Sequence, residues 1–213
     1  MKNTYLNNRK IKFCLLLFLI ISLIFSCIHP VYPDEIFLQH TATYLMIGFL
    51  IFVLVKNNLT NKSFFCFVLI VVIHIIGARW NYSNTPYDKW LNSVFGFSID
   101  KFFDFKRNQY DRFVHFMYGF LLIIPISEIY TAWFKFQKKT SYHIAFLFVL
   151  ASSLVYELIE WLVAIVLSPE QAEAYNGQQG DFWDAQKDMA LAMFGAIIMI
   201  LIRRIKIKKK NTL

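Results

Sequence analysis

Charged residues are scarce in this sequence. They make up 17% of its 213 residues, against about 25% in an average soluble domain. Glycine and proline are also few, at 7 and 5 residues, and no segment rich in either divides the chain, which argues against a flexible linker between domains. No internal repeat is visible, so we expect a single domain over residues 1–213.

The sequence also lacks the short motifs of several enzyme classes. It contains no G-x-S-x-G nucleophile elbow, no phosphate-binding P-loop and no dinucleotide-binding glycine pattern. Its three cysteines, Cys14, Cys27 and Cys66, lie in or at the edges of apolar runs and have no partner at a metal-ligand spacing. These absences argue against the corresponding hydrolases, nucleotidases and dehydrogenases, and against a disulfide framework.

Long apolar runs are what the chain has instead, since 57% of its residues are hydrophobic and 18% are aromatic. A bilayer span needs roughly 20 predominantly apolar residues, and backbone amides inside hydrocarbon need internal partners, so each span is expected to be a helix. The sequence therefore predicts an all-α protein, a polytopic integral membrane helix bundle with about six transmembrane helices. The predicted spans are about 13–28, 36–55, 64–82, 109–130, 142–167 and 182–202.

Lysine and arginine are distributed unevenly among the loops. Fifteen of the 22 basic residues fall in 1–12, 56–62, 131–140 and the tail from Arg203, and no Asp or Glu accompanies them there. Positively charged loops stay in the cytoplasm, so both termini are predicted to be cytoplasmic. The net charge of +8 is explained by these flanks, which favour anionic membrane lipid, and no nucleic-acid partner is expected.

The first apolar run follows basic residues, as the apolar part of a signal peptide does. It ends in Phe25, Ser26 and Cys27, and the bulky Phe25 departs from the small residue of a lipoprotein cleavage site. An uncleaved membrane anchor is therefore the better interpretation.

Ionisable residues inside the predicted spans are candidates for function, because each costs about 2.5–3.5 kcal/mol at the bilayer centre. Here they form three stripes at helical spacing. A helical rise of 1.5 Å per residue brings the three stripes to a similar depth near the external face. The stripes are Asp111 with His115, Glu157 with Glu160, and Asp181 with Asp184 and Asp188.

Structural roles are open for several of these residues. Asp111 and Asp181 stand where aspartate caps a helix or favours its dipole. Glu157 and Glu160 are not terminal, and their structural alternative is a bond to a tyrosine or to a nearby basic residue. His74, in the third span, is either a packing histidine or an additional member of the site.

Four stretches around these residues make the sequence similar to a known family. They are 74–78 (HIIGA), 107–116 (RNQYDRFVHF), 156–161 (YELIEW) and 173–189 (EAYNGQQGDFWDAQKDM). Over about residues 36–202 the chain resembles the YjdF-like family of bacterial inner-membrane proteins. The resemblance implies a multi-pass protein of the inner (plasma) membrane and carries no activity with it.

A looser similarity is to VanZ-like membrane proteins, which also place an acid and a histidine on one helix and acids on later helices. It rests on Asp111, the basic residue that follows it, and His115 four positions further on.

Carboxylates with one imidazole are a ligand set for Mg²⁺, Mn²⁺ or Zn²⁺, and such an ion can polarise a phosphoryl group and generate a hydroxide nucleophile. The first hypothesis is a metal-dependent hydrolase or transferase that acts on a membrane lipid or another phosphate-bearing head group. The candidate metal ligands are His115, Glu157, Glu160, Asp181, Asp184 and Asp188. The candidate catalytic residues are Asp111, His115, Glu157 and Glu160, and the candidate anion ligands are Arg107, Arg112 and Lys187.

The second hypothesis is a proton- or cation-coupled transporter or an ion-binding sensor, because carboxylates that face a bundle interior also act as proton relays. Transporter sites usually lie near the midplane, with broken helices or paired repeats. The sequence shows neither, and only Gly119 and Pro125 in the fourth span indicate a kink.

The external segment 83–108 is rich in aromatic residues, which favour the membrane interface. We expect it to lie at the interface, either as a lid over the site or as a plain aromatic belt.

Overall fold

The computed structural model describes residues 8–211, and every regular element within that part is helical. The helices of the described part are, in chain order, α1 (Arg9–Cys27), α2 (Ile36–Gln39), α3 (Thr41–Lys56), α4 (Asn61–Arg79), α5 (Tyr87–Phe95), α6 (Ile99–Phe103), α7 (Tyr110–Ala132), α8 (Lys138–Val166), α9 (Pro169–Asn176) and α10 (Asp184–Asn211). The prediction of an all-α protein is confirmed. Some basic residues that entered the orientation argument lie outside the described residues: Lys2, and the side chains of Lys206, Lys208, Lys209 and Lys210.

Four of the described helices, α1, α4, α7 and α8, are long and apolar enough to cross a membrane. The apolar helix α3 is shorter, at 16 residues. Each of these five overlaps a predicted span, and α10 runs through the sixth predicted span into the basic tail. The number of crossings, six, stays a prediction.

The second predicted span, 36–55, is not one continuous helix. It is divided into α2 and α3 at His40, whose backbone lies at φ −89° and ψ 5°. The His40 ring is buried, with one nitrogen 2.7 Å from the Ser26 hydroxyl and the other 3.3 Å from the Thr43 hydroxyl. These contacts join the break to the end of α1.

The packing of α8 differs from that of α4 and α7. The helices α4 and α7 bury large apolar side chains such as Phe64, Phe67 and Ile123. In contrast, α8 exposes apolar side chains such as Leu147 and Trp161 over most of its surface. Exposed apolar area is unfavourable in water, at about 25 cal/mol per Å², whereas the hydrocarbon of a bilayer accommodates it. The exposure pattern therefore agrees with a bundle embedded in a membrane.

One end of the bundle gathers the start of α1, the loop between α3 and α4, and the last turns of α7. Arg9 donates to the backbone carbonyl of Val55 (2.6 Å), and Glu128 of α7 accepts a hydrogen bond from the backbone N–H of Thr60 (2.7 Å). We name this the basic end. It is formed by residues 8–12, 55–62, 128–139 and 203–205.

Among the acidic residues whose side chains the structure describes, all except Glu128 lie at the opposite end. There Arg79 donates to the backbone carbonyl of Ile28 (2.8 Å) and ties the end of α4 to the end of α1. We name this the acidic end. It is formed by residues 28–40, 79–115 and 157–188.

Segment 83–108 folds at the acidic end into the short helices α5 and α6. The hydroxyl of Tyr87 donates to Asp100 Oδ1 (2.5 Å) and joins the two helices. The side chains of Val94, Phe95 and Phe102 are exposed. Exposed aromatic side chains such as those of Phe95 and Phe102 suit the interface of a bilayer, and the interfacial placement of the segment stays a prediction.

Candidate metal centre

The close approach of α7 and α10 sets the geometry of the acidic end. A Cβ atom on Gly119 would overlap the backbone carbonyl of Ala192, and one on Gly195 would overlap that of Phe116. The two glycines therefore allow the helix backbones to touch, which larger side chains would prevent. The helix α7 continues without a break past Pro125, so the role of Gly119 is close packing.

Three buried side chains from α7 and α10 form the core of the candidate site. One potential ligand atom each of Asp111, His115 and Asp188 lies within 4.8 Å of the other two. His115 Nε2 is 3.6 Å from Asp111 Oδ1, as expected for residues one helical turn apart. Only 2% of Asp188 is exposed. We name these three residues the Asp–His–Asp cluster.

Glu157 of α8 lies beside this cluster. Its Oε1 is 3.8 Å from His115 Nε2, and the side chain is buried. Glu160, one turn further on, is partly exposed, and its side chain is within hydrogen-bonding reach of that of Glu157. The inward stripe of α8 that ends at Glu157 consists of residues four apart, which share one helix face. Its members are Ser141, Ala145, Val149, Ser153 and Glu157.

Two carboxylate oxygens of this group accept no hydrogen bond. Asp188 Oδ1 and Glu157 Oε1 are both buried and have no such partner within residues 8–211. A carboxylate that is buried in its ionised form without a partner is destabilised by several kcal/mol. The group is therefore suited to a positively charged ligand, or to carboxylates that retain protons.

The two remaining aspartates, near the start of α10, lie against basic residues. Asp184 Oδ1 is 2.5 Å from Arg107 Nη1 and 3.6 Å from Arg112 Nη2. Asp181 is paired with Arg112 and, at 2.6 Å, with Lys187 Nζ. The hydrogen bond from Lys187, together with the charge of Arg112, lowers the pKa of Asp181 to about 2.

These ion pairs form between two sets of residues that the sequence assigned to different roles. Asp181 and Asp184 were predicted as metal ligands. Arg107, Arg112 and Lys187 were predicted as ligands for an anion, and they are the partners of the two aspartates. Arg112 keeps one buried donor, its Nε, which has no partner among the described residues.

His74 is bonded through both of its ring nitrogens. Its Nε2 is 3.0 Å from the backbone carbonyl of Gln39, and its Nδ1 contacts the hydroxyl of Tyr82. This is the arrangement of a packing histidine. His74 nevertheless lines the same cavity as Asp111 and His115, so it lies next to the cluster without belonging to it.

That cavity has a volume of about 270 Å³ and lies among α3, α4, α7 and α8. Besides Tyr82, the partner of His74, two further tyrosines on its wall were not predicted from the sequence. The ring centre of Tyr156 is 5.9 Å from that of His115, and the Tyr118 hydroxyl donates to Ser152 (2.7 Å). A signal for Tyr156 was present, because it directly precedes Glu157 within one of the four stretches that carry the family resemblance.

The Asp–His–Asp cluster has the dimensions of a metal site. A divalent ion holds oxygen and nitrogen ligands at about 2.0–2.2 Å, so that ligand atoms around one ion lie within about 4.4 Å of one another. The ligand atoms of the cluster all lie within 4.8 Å of one another, near that limit. Two carboxylates and an imidazole form a donor set that suits Zn²⁺ and Mn²⁺.

Fold and site together define the class of the protein. Several helices are long and apolar enough to span a membrane, and the carboxylates of the cluster face the bundle interior, as ionisable groups within membranes do. The chain is a helical integral membrane protein.

The chain belongs to the family described as predicted membrane protein (DUF2238), whose sequence profile matches residues 11–209. It is 28% identical to the inner membrane protein YjdF of Escherichia coli (strain K12) over 148 residues. Those residues cover 68% of this chain and 66% of that relative, slightly less than two thirds of its length. No solved structure matches the chain. The resemblance to the YjdF-like family is confirmed.

Proposed function

We propose that this protein is a multi-pass protein of the bacterial inner membrane that binds a divalent cation in the Asp–His–Asp cluster. With that cation it would hydrolyse or transfer a phosphate-bearing lipid head group. The observation that carries the proposal is the approach, within 4.8 Å, of three buried ligand atoms from Asp111, His115 and Asp188. The ions that this donor set suits are Mn²⁺ and Zn²⁺.

In the proposed topology, α1, α3, α4, α7, α8 and α10 cross the membrane and both termini are cytoplasmic. The excess of lysine and arginine at the basic end supports this orientation. The acidic end then faces the external side. His115 lies five residues inside the start of α7 at Tyr110, which is about 8 Å along the helix axis. The cluster would therefore lie just below the head groups of the outer leaflet.

Each polar group has a proposed task in the reaction. Asp111, His115 and Asp188 would hold the ion, and such an ion would polarise a phosphoryl group and lower the pKa of a bound water. Glu157, whose Oε1 has no hydrogen-bond partner in the described part of the chain, would receive the proton of that water and return it to the oxygen of the leaving alcohol as the bond between that oxygen and phosphorus breaks. Arg112 offers its unpaired Nε–H to a phosphate oxygen.

The flanking groups have proposed supporting tasks. Glu160, within hydrogen-bonding reach of Glu157, positions that base. Arg107 and Lys187 offset the charges of Asp184 and Asp181 at the mouth of the site.

A second candidate is a proton- or cation-coupled transporter or an ion-binding sensor. The observation that favours it is the burial of two carboxylate oxygens, Glu157 Oε1 and Asp188 Oδ1, without a hydrogen-bond partner among the described residues. Carboxylates buried in this way retain protons unless a cation offsets their charge, and carboxylates that face a bundle interior act as proton relays.

Metal content and thermal stability of the purified protein test the metal site. We expect wild-type protein to carry a metal, or to be stabilised by added Mn²⁺, by about 2.7 kcal/mol when the free ion is at 100 times its Kd. Asp188→Asn should lose bound metal and the response to Mn²⁺. Asp104→Asn is the matched control and should behave as wild type, because Asp104 is 82% exposed and is paired with Lys106.

One pattern of results would favour the second candidate instead. Asparagine resembles a protonated aspartate, so Asp188→Asn would stabilise a cluster in which protons, not a metal, offset the carboxylate charges. A wild-type protein indifferent to EDTA and to Mn²⁺, combined with a more stable Asp188→Asn variant, would contradict the metal site.

A further inference from the structure

The cavity beside the Asp–His–Asp cluster extends from that cluster to the middle of the bundle. Along α7 its wall runs from Asp111 to Leu122, a span of eleven residues or about 16 Å at the helical rise. Leu122 lies at the midpoint of α7, which begins at Tyr110 and ends at Ala132. In the proposed topology the cavity therefore runs from the outer head-group level to the bilayer midplane.

The other walls have the same inner limit. Ile70 and Ser152 are the wall residues furthest from the acidic end on α4 and α8, and each lies at the midpoint of its helix. His74 and Tyr156 lie one turn nearer to the acidic end. The cavity therefore occupies one half of the bundle.

The wall is mostly apolar, and its ionisable groups lie towards the outer end, whereas its deep part carries only the hydroxyls of Tyr118, Ser152 and Ser153. Its apolar side chains include Met46, Ile70, Val71, Val114 and Leu122. Deep in the cavity, the hydroxyl of Tyr118 is satisfied by Ser152 (2.7 Å). The outer end of the wall carries the carboxylate of Asp111 and the imidazole of His115.

The dimensions of the cavity fit one hydrocarbon chain. The hydrocarbon core of a bilayer is about 30 Å thick, so a lipid chain of one leaflet extends over roughly half of that, close to the cavity's length of about 16 Å. Apolar cavities of about 150 Å³ already bind benzene. A volume of about 270 Å³ therefore has room for a single extended chain and not for two.

We infer that the cavity holds one hydrocarbon chain of the substrate, with the phosphate-bearing end of that substrate at the Asp–His–Asp cluster. The substrate class is thus a lipid phosphate with one inserted chain, either linear or prenyl. The placement of the head group rests on the proposed function. The placement of the chain rests on the cavity.

The experiment measures the melting temperature of the full chain in a sterol-based detergent, which has no linear chain to compete. Hexyl, decyl and tetradecyl phosphate are titrated in the presence of Mn²⁺. Binding should tighten about fourfold for each added CH₂ group, until the chain reaches the floor of the cavity near Leu122, and then stay constant. Farnesyl and dodecyl phosphate, which have equal main-chain lengths, distinguish a prenyl from a linear chain.

Substitutions inside and outside the cavity wall are compared to test whether the chain binds in the cavity. Val71→Phe fills the cavity from α4 and should remove the dependence on chain length while Mn²⁺ still binds. Val155→Phe makes the same change on the exposed face of α8 and should behave as wild type. Leu122→Ala deepens the floor and should move the plateau to longer chains, so it provides a test even where Val71→Phe does not fold.

Uncharged alkanols of the same lengths separate this inference from the proposed function. A dependence on alkanol length that Val71→Phe removes, in a protein that binds no Mn²⁺, would overturn the metal site and support the chain site. Equal responses to all chain lengths in both series would overturn the chain site, whether or not the metal binds. Equal responses of Val71→Phe and Val155→Phe would overturn it as well.

Discussion

Asp181 lies outside the membrane-spanning helices, and its ionisation depends on its neighbours. The hydrogen bond from Lys187, with the charge of Arg112 beside it, lowers the pKa of Asp181 from 3.8 to about 2. A carboxyl group whose pKa is lower in the folded state stabilises that state above its unfolded pKa, and the stabilisation is lost as the pH falls through its folded pKa.

The consequence can be measured as thermal unfolding at several pH values. Between the ordinary pKa of 3.8 and the lowered value of about 2, the wild-type melting temperature should fall more steeply than that of Asp181→Asn. Asp104→Asn, at an exposed ion pair with Lys106, should follow the wild-type profile. Identical profiles for wild type and Asp181→Asn would show that the ion pairs of Asp181 do not stabilise the fold.

Glu157 supports a prediction that separates metal binding from chemistry. Its Oε1 is 3.8 Å from His115 Nε2, and it is not a member of the Asp–His–Asp cluster. Glu157→Gln should therefore retain Mn²⁺ and lose turnover of a lipid phosphate, by about 10²–10⁴-fold if it removes a general base. Elemental analysis and phosphate release measure the two properties. Turnover at the wild-type rate would exclude Glu157 as the base.

The sequence predicts the members of this site better than their partners. Asp111 and His115 are recognisable as a pair because four residues separate them on one helix. The sequence does not show that Asp188 joins the cluster while Asp181 and Asp184 form ion pairs, because all three aspartates share one stripe. Apart from Lys187, which lies on α10 itself, their partners come from α7 and the segment before it, and such contacts depend on tertiary packing.

At the scale of helices, the crossing of α7 and α10 is the feature on which the cluster depends. Gly119→Ala places a Cβ against the carbonyl of Ala192, so the helices must separate, at about 1–3 kcal/mol for an overpacked contact. Separation also moves Asp188 away from Asp111 and His115. We expect a lower melting temperature and weaker Mn²⁺ binding.

Gly48→Ala on α3 is the matched control for this crossing. A Cβ on Gly48 would meet no atom within 4 Å, so the substitution should leave Mn²⁺ binding unchanged and stabilise the helix by about 0.5–1 kcal/mol. Equal effects of the two substitutions, measured by thermal unfolding and Mn²⁺ titration, would mean that the contact at Gly119 does not hold the cluster together.

The helices themselves were predictable because an apolar run of sufficient length has few alternatives to a helix in a bilayer. The break at His40 was not, because it depends on contacts with Ser26 and Thr43. Gly119 was predicted to mark a kink because glycine within a helix is a common site of kinks. Its packing against Ala192 depends on a residue more than seventy positions away.

At the scale of the whole molecule, charge is divided between two ends. The acidic end holds every Asp and Glu side chain that the structure describes except Glu128. At the basic end, not every lysine or arginine side chain is exposed, and a buried one contributes less to the orientation of the protein in the membrane. Lys12 is fully buried and donates to Asn57 (2.8 Å) and to the backbone carbonyl of Leu59. The orientation therefore depends on the lysines and arginines that remain in the loops and the tail.

Those residues support a prediction of which side of the membrane the acidic end faces. Reporter domains fused after Lys139 and after Leu213 should be cytoplasmic, and one fused near Asn176 should be external. The physical reason is that fifteen of 22 basic residues lie in segments without any acidic residue, and such segments are retained on the cytoplasmic side. Alkaline phosphatase and green fluorescent protein, which are active on opposite sides of the inner membrane, provide complementary measurements.

Replacing Lys135, Lys138 and Lys139 together by glutamine tests this reason. The cytoplasmic preference of the reporter fused after Lys139 should weaken, and the C-terminal reporter should stay cytoplasmic, because the basic tail remains. An external C-terminus in the wild-type protein would place the acidic end in the cytoplasm, and the substrate of the Asp–His–Asp cluster would then have to come from the inner leaflet.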